Sequence, residues 1–99
     1  MNSLNTNSST KASQKLSEDP DLFLSQLGVR IVRRREELGL TQRSLAAKLG
    51  MAQGNVNRIE YGRQNLTIRT VFRLAEALEM PVAELLSGLT GMPEPPKRP

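Results

Sequence analysis

The 99-residue chain contains no cysteine and no histidine. It therefore has no disulfide bonds, thiol nucleophiles, zinc fingers or imidazole acid-base groups. No apolar run approaches the roughly 18 residues of a membrane span, and the N-terminus lacks the apolar stretch of a signal peptide. These absences argue against most enzyme chemistry, and no cofactor or metal site is expected. They predict a soluble, cytoplasmic protein.

The two ends of the chain differ in composition from its centre. Residues 1–17 consist mainly of Ser, Asn and Thr, so they bury too little apolar surface to offset the entropy of ordering and are predicted to form a disordered arm. Residues 90–99 are rich in proline and are predicted to form an extended tail. One folded domain is expected over residues 20–89. The excess of 14 Lys and Arg over 10 Asp and Glu favours a polyanionic partner.

The central segment has apolar residues at helical spacing, interrupted by capping residues, glycines and a proline. Asp19 with Pro20, Thr41 and Thr67 are good helix starts, and Pro81 ends one helix and opens the next. The pattern predicts five helices, over about 20–38, 42–49, 53–61, from 67 to shortly before 81, and 82–87. No segment alternates with period two over the length of a strand. The expected fold is all-α.

Two segments of the sequence are the most informative about function. They are Leu40-Thr41-Gln42-Arg43-Ser44-Leu45-Ala46-Ala47-Lys48-Leu49-Gly50 and Asn57-Arg58-Ile59-Glu60-Tyr61-Gly62-Arg63. The first has a small residue where two helices would cross and a glycine at the turn, which is typical of a helix-turn-helix. From about residue 27 to residue 86 the chain resembles the Cro/CI repressor-type helix-turn-helix family, also called the xenobiotic-response-element family.

The resemblance implies that the third helix enters the major groove of double-stranded DNA while the second lies across the phosphates. Amide side chains suit adenine, whose N6 and N7 present a donor and an acceptor. The predicted base-contacting residues are Gln53, Gly54, Asn55 and Asn57. The predicted phosphate-binding residues are Gln42, Arg43, Arg58, Arg63 and Tyr61. The resemblance also implies a structural ion pair between Arg35 and Glu60, which would join helix one to helix three.

Three positions depart from the family pattern. Ala52 stands where many members have a capping Ser or Thr, and Gly54 lies inside the third helix. Each change weakens that helix by about 1 kcal/mol, while Gly54 permits close approach of its backbone to DNA. Glu79 replaces the glycine usually found near the end of the fourth helix.

A homodimer is expected because one recognition helix contacts only a few base pairs, so useful affinity requires two half-sites in an inverted repeat. The last helices offer more apolar side chains than such a short segment can bury alone. The predicted interface residues are Met80, Val82, Leu85, Leu86 and Leu89. The leading hypothesis is thus a sequence-specific transcriptional regulator.

Two other hypotheses remain open at this point. One is an antitoxin-like or adaptor module that uses the same fold to hold a protein partner, with the arm of residues 1–17 as the feature that permits it. The other is a narrower form of the DNA-binding hypothesis, the controller protein of a restriction-modification system, which the run Arg63-Gln64-Asn65-Leu66-Thr67-Ile68 resembles. An enzyme is disfavoured because no nucleophile, carboxylate pair or phosphate loop is placed for chemistry.

Overall fold

A computed structural model describes residues 19–89 of the protein. Over that range the chain forms five α-helices and no strand. They are α1 (Pro20–Glu37), α2 (Gln42–Leu49), α3 (Gln53–Glu60), α4 (Ile68–Ala77) and α5 (Val82–Leu86). The predicted all-α fold is confirmed. The helix ends agree with the expected ones to within about a residue, except that α4 ends at Ala77 and not next to Pro81. The arm of residues 1–17 and the tail of residues 90–99 lie outside the described residues. None of the helices in residues 19–89 is long and apolar enough to cross a membrane.

Side-chain caps explain where most of the longer helices begin. Asp19, Thr41 and Thr67 each accept a hydrogen bond from a backbone N–H in the first turn of the helix that follows. At the start of α2 the cap is reciprocal, because Ser44 Oγ also accepts from the Thr41 N–H at 2.8 Å. By contrast, Ala52 gives α3 no side-chain cap. As expected from the sequence, α3 therefore begins without a side-chain cap.

One hydrophobic core lies between the five helices and takes side chains from each of them. Its members are almost completely shielded from solvent, and each buried Leu, Ile or Val side chain contributes on the order of 1.5 to 3 kcal/mol of burial free energy. The buried residues are Leu27, Ile31, Leu45, Ala46, Leu49, Val56, Ile59, Val71, Leu74, Ala75, Leu78, Leu85 and Leu89.

The last two residues of that core correct a prediction. Leu85 and Leu89 were expected in a dimer interface, but they are only 0% and 4% exposed within the protomer. Because α5 contacts both α1 and α4, the short last helix closes the core of its own chain. Leu85 and Leu89 therefore have no surface to offer a second subunit. Met80, Val82 and Leu86 are only half-buried.

The crossing of α1 and α3 is unusually close and depends on two glycines. A Cβ added to Gly28 would lie 2.2 Å from the carbonyl oxygen of Glu60, and one added to Gly62 would lie 2.7 Å from Ser25 Cα. Gly62 also has a φ of 71°, a conformation that side chains disfavour. The backbones of α1 and of the end of α3 are thus in direct contact, which fixes the position of α3.

Arginine side chains hold the C-terminal ends of several helices. Arg34 Nε donates to the carbonyl of Leu78 at 2.8 Å, at the end of α4. Arg73 donates to the carbonyl of Leu49, at the end of α2, and Arg30 donates to the carbonyls at the end of α5. A positive charge at a helix C-terminus also offsets the helix dipole. These three arginines are thereby engaged in holding the fold.

The turn after α4 forms with Glu79 in place of the usual glycine. Glu79 has a φ of 57°, and it is the one non-glycine residue with positive φ in residues 19–89. The Met80 N–H donates to the Ala75 carbonyl at 3.0 Å and the Glu79 N–H donates to the Glu76 carbonyl at 3.1 Å, which is the Schellman arrangement. Arg34 Nη2 donates to the Glu79 carbonyl at 3.2 Å. The turn thus forms even though a glutamate has to adopt the left-handed conformation, which is unfavourable for a residue with a Cβ.

Candidate nucleic-acid interface

The second and third helices form a helix-turn-helix. The chain leaves α2 at Gly50, which has a φ of 67°, and the Met51 N–H donates to the Ala46 carbonyl at 3.0 Å. After this left-handed turn α3 begins at Gln53. Ala46 is buried where α2 meets its neighbours, and its small side chain allows the helices to approach. The local sequence thus sets the angle at which α3 is presented.

One face of α3 is buried and the other is exposed. Val56, Ile59 and Glu60 are buried, which directs the opposite face of the helix to solvent. Of the four predicted base-contacting residues, Gln53, Gly54 and Asn57 are exposed and Asn55 is half-buried. Arg58 and Tyr61 share the exposed side of the helix. The exposed surface of α3 therefore carries amide and basic groups and no carboxylate.

A buried polar network fixes α3 against α1 and α2. The side chains of Arg35 and Glu60 are 12% and 3% exposed, with Arg35 Nε 2.6 Å from Glu60 Oε2 and Nη2 3.2 Å from Oε1. Arg35 Nη1 donates to the Leu40 carbonyl at 2.9 Å. Gln42 Nε2 donates to Glu60 Oε1 at 2.8 Å. Within residues 19–89, no buried side-chain polar atom lacks a hydrogen-bond partner.

The phosphate-binding residues predicted in α2 differ in their surroundings. Arg43 is exposed in the first turn of the helix. The side chain of Gln42 is half-buried and turns back toward Glu60, which sequence reasoning did not anticipate. The start of α2 also presents backbone N–H groups and the positive end of the helix dipole, which favour an anion. Arg43 and the helix end therefore form the basic surface of this element.

At the other end of α3, Tyr61 and Arg63 lie together. Tyr61 is 64% exposed, and the Arg63 guanidinium carbon lies 5.7 Å from the centroid of its ring, within cation–π distance. The tyrosine is therefore a surface residue and not part of the core. The two side chains form a basic and aromatic group immediately after the exposed face of α3.

Arg58 is held by two neutral oxygen acceptors. Its Nε donates to Gln64 Oε1 at 3.0 Å and its Nη2 donates to Asn55 Oδ1. Gln64 lies in the loop after α3, and its contact was missed by sequence reasoning because it depends on how that loop folds back. A Cβ added to Gly54 would lie 3.7 Å from Arg58 Nη1, an ordinary van der Waals distance. The arginine thus extends over the bare backbone at Gly54.

Comparison with known families identifies this arrangement. The profile of the HTH_3 helix-turn-helix family matches residues 31–85, more than half of the chain and all of α2, α3 and α4. The chain belongs to the HTH_3 family of helix-turn-helix regulators. This confirms the family predicted from the two sequence segments. Helix-turn-helix regulators of this family bind DNA.

Individual relatives agree with the family assignment. The uncharacterized HTH-type transcriptional regulator y4dJ of Sinorhizobium fredii is 38% identical over 61 residues, which cover 62% of this HTH_3 protein and 79% of the relative. The restriction-modification controller protein C.AhdI from Aeromonas hydrophila is 32% identical, with a TM-score of 0.60 over 63% of this chain and 94% of that one. The clp gene regulator ClgR of Corynebacterium glutamicum is 28% identical, with a TM-score of 0.64 over 66% and 83% of the two chains.

Proposed function

We propose that this HTH_3 protein is a sequence-specific, double-stranded-DNA-binding transcriptional regulator that inserts α3 into the major groove. The observation that carries the proposal is the exposed face of α3, which bears amide and basic groups, no acid, and a glycine in the first turn. A surface of this kind suits the base edges and phosphates of DNA. The buried network around Glu60 supports the proposal because it holds the helix rigidly against the rest of the domain.

Within α3, the two exposed amides Gln53 and Asn57 are proposed to contact bases. They are four residues apart on one helix and therefore project on the same side. Each amide offers one donor and one acceptor group, the pattern that adenine N6 and N7 require. Gly54 stands between them and allows the helix backbone to approach the base pairs closely. Asn55 is half-buried at the side of the helix, and its Oδ1 accepts a hydrogen bond from Arg58.

Phosphate contacts are proposed on both sides of α3. On one side are Arg43 and the N-terminal end of α2, where backbone N–H groups and a positive charge coincide. The Gln42 amide reaches a phosphate there if its second N–H points outward while the first stays on Glu60. On the other side, Arg63 and Tyr61 are exposed after the helix. Such contacts orient the protein on the duplex without specifying sequence.

The functional unit is proposed to be a homodimer on an inverted repeat. Two recognition helices about one helical turn of DNA apart, roughly 34 Å, would contact two half-sites. Met80, Val82 and Leu86 are proposed for the interface, since they are half-buried in the protomer and keep apolar surface. A restriction-modification controller is a narrower form of this proposal, supported by the similarity to C.AhdI.

The experiment that tests the proposal is selection from a random-sequence duplex library with the full chain, followed by sequencing of the retained DNA. Enrichment of a two-fold symmetric motif is expected. A motif without symmetry would overturn the dimeric arrangement, and no motif at all would favour the alternative of a protein-interaction module. The arm of residues 1–17, on which that alternative depends, lies outside the described residues.

A further inference from the structure

We propose that Arg58 contacts a guanine base in each half-site, and that Asn55 and Gln64 position its guanidinium for that contact. The inference rests on the proposed function and deepens it. From the sequence alone Arg58 is expected at a phosphate and Asn55 at a base. The contacts of the two side chains support a different division of roles, with the arginine at the base edge and the amide behind it.

The hydrogen bonds of Arg58 leave a free pair of donors. A guanidinium has five N–H groups. One on Nε is donated to Gln64 and one on Nη2 to Asn55, so three remain on Nη1 and Nη2. Two of these lie on adjacent nitrogens in one plane, which is the geometry that matches O6 and N7 of guanine. The described residues supply no acceptor for Nη1.

The position of Arg58 on α3 also favours a base contact. The residue is exposed on the outer side of the helix and its guanidinium lies back toward the N-terminal half, with Nη1 only 3.7 Å from where a Cβ of Gly54 would be. Residues in the N-terminal part of a recognition helix are those that approach base edges. Gly54 thus leaves room for the arginine at the part of α3 that enters the groove.

The partners of Arg58 orient the charge without neutralising it. Asn55 and Gln64 contribute neutral oxygens on either side, and Arg58 is paired with no carboxylate among the described residues. A two-point contact to guanine requires a fixed guanidinium plane, and the hydrogen bonds to Asn55 and Gln64 fix that plane. The Asn55 Oδ1 that accepts from Arg58 is also the oxygen that a two-point contact with adenine would use, and the hydrogen bond turns it toward the arginine. Asn55 and Gln64 are therefore positioning residues.

The test compares motifs selected from one random duplex library by the wild-type protein and by Arg58→Gln. The wild-type motif should contain a guanine at one position, or column, of each half-site. In the variant we expect the preference for guanine at that column to fall on the order of 5- to 100-fold, while the preferences at the other columns are retained. Replacing that guanine by 7-deazaguanine, which lacks N7, should weaken the wild-type protein and leave Arg58→Gln unaffected. Asn55→Ala and Gln64→Ala should each reduce preference at the same column.

The matched control is Arg33→Gln, which removes an exposed arginine from α1 and should leave the motif unchanged. If Arg58→Gln keeps the full motif and weakens all duplexes equally, Arg58 contacts phosphate and the inference is overturned. The same holds if the Asn55 and Gln64 variants change a column other than the one that Arg58 controls. A wild-type protein that enriches no motif would instead refute the proposed function. Circular dichroism of each variant verifies that the helix content of the domain is retained.

Discussion

Arg35 and Glu60 form a two-point ion pair that joins α1 to the last residue of α3, with side chains only 12% and 3% exposed. Either charge would strongly destabilise the fold if it were buried here without the other. Glu60 is also the acceptor for the Gln42 amide, so one carboxylate links three helices. The pair thereby sets the position from which α3 presents its exposed face.

Removing one member of this pair should destabilise the domain strongly. Arg35→Ala or Glu60→Ala leaves the partner charge buried, and we expect each to lower the free energy of unfolding by about 3 to 5 kcal/mol. Urea denaturation of both single variants and of the double variant measures the coupling. The double variant should lose much less than the sum of the two single losses, whereas additive losses would contradict an interaction between the side chains.

Gly28→Ala should destabilise the fold because the new methyl group would collide with the Glu60 carbonyl, 2.2 Å away. We expect a loss of about 1 to 3 kcal/mol in thermal or chemical unfolding, as for other overpacked sites. Gly54→Ala is the matched control, since its Cβ meets nothing closer than 3.7 Å and a helical alanine should stabilise by about 0.5 to 1 kcal/mol. Equal effects of the two substitutions would mean that the crossing of α1 and α3 is not tight.

Glu79→Gly should stabilise the domain by about 1 kcal/mol, because glycine adopts the φ of 57° without a steric penalty. The contact of Glu79 with Lys48 at 4.0 Å is exposed and its loss should cost little. Glu79→Ala removes the same carboxylate while retaining the strained conformation, so it should give no gain. A midpoint of thermal unfolding that rises equally for both variants would attribute the effect to charge and not to backbone strain.

Asn57→Ala and Arg43→Ala should weaken DNA binding in different ways. Asn57→Ala is expected to cost about 1 to 3 kcal/mol on the selected site and little on a scrambled duplex. Arg43→Ala should weaken both duplexes alike and reduce the slope of log affinity against log salt by about one unit per half-site. Titrations at three salt concentrations measure both effects. Equal losses on the two duplexes for Asn57→Ala would place that residue at the backbone.

Leu86→Asp should disrupt the proposed homodimer, raising its dissociation constant by about 10-fold or more through the loss of an apolar contact. Ala83→Asp is the control on α5, because Ala83 is exposed and outside the proposed interface. Sedimentation at micromolar concentrations measures the dimer, and circular dichroism checks that the protomer stays folded. Dimers that persist in folded Leu86→Asp would move the interface elsewhere on the domain.

The local sequence determined where the five helices lie. The caps at Asp19, Thr41 and Thr67 and the left-handed glycine at Gly50 act within one helical turn, so their effect is visible without knowing the fold. The helical spacing of the apolar residues likewise indicates which side of each helix is buried. The family resemblance supplied the one long-range contact that was foreseen, between Arg35 and Glu60.

Tertiary structure decided which partners the side chains contact. Whether an arginine faces solvent or a carbonyl depends on helices far apart in sequence, as with Arg34 and the end of α4 at Leu78. The burial of Leu85 depends in the same way on α1 and α4, since apolar spacing cannot distinguish a protomer's own core from a partner. The inward turn of Gln42 likewise required Glu60 to lie beside it. Local sequence sets conformation over a few residues, whereas contacts between distant residues arise only when the whole chain packs.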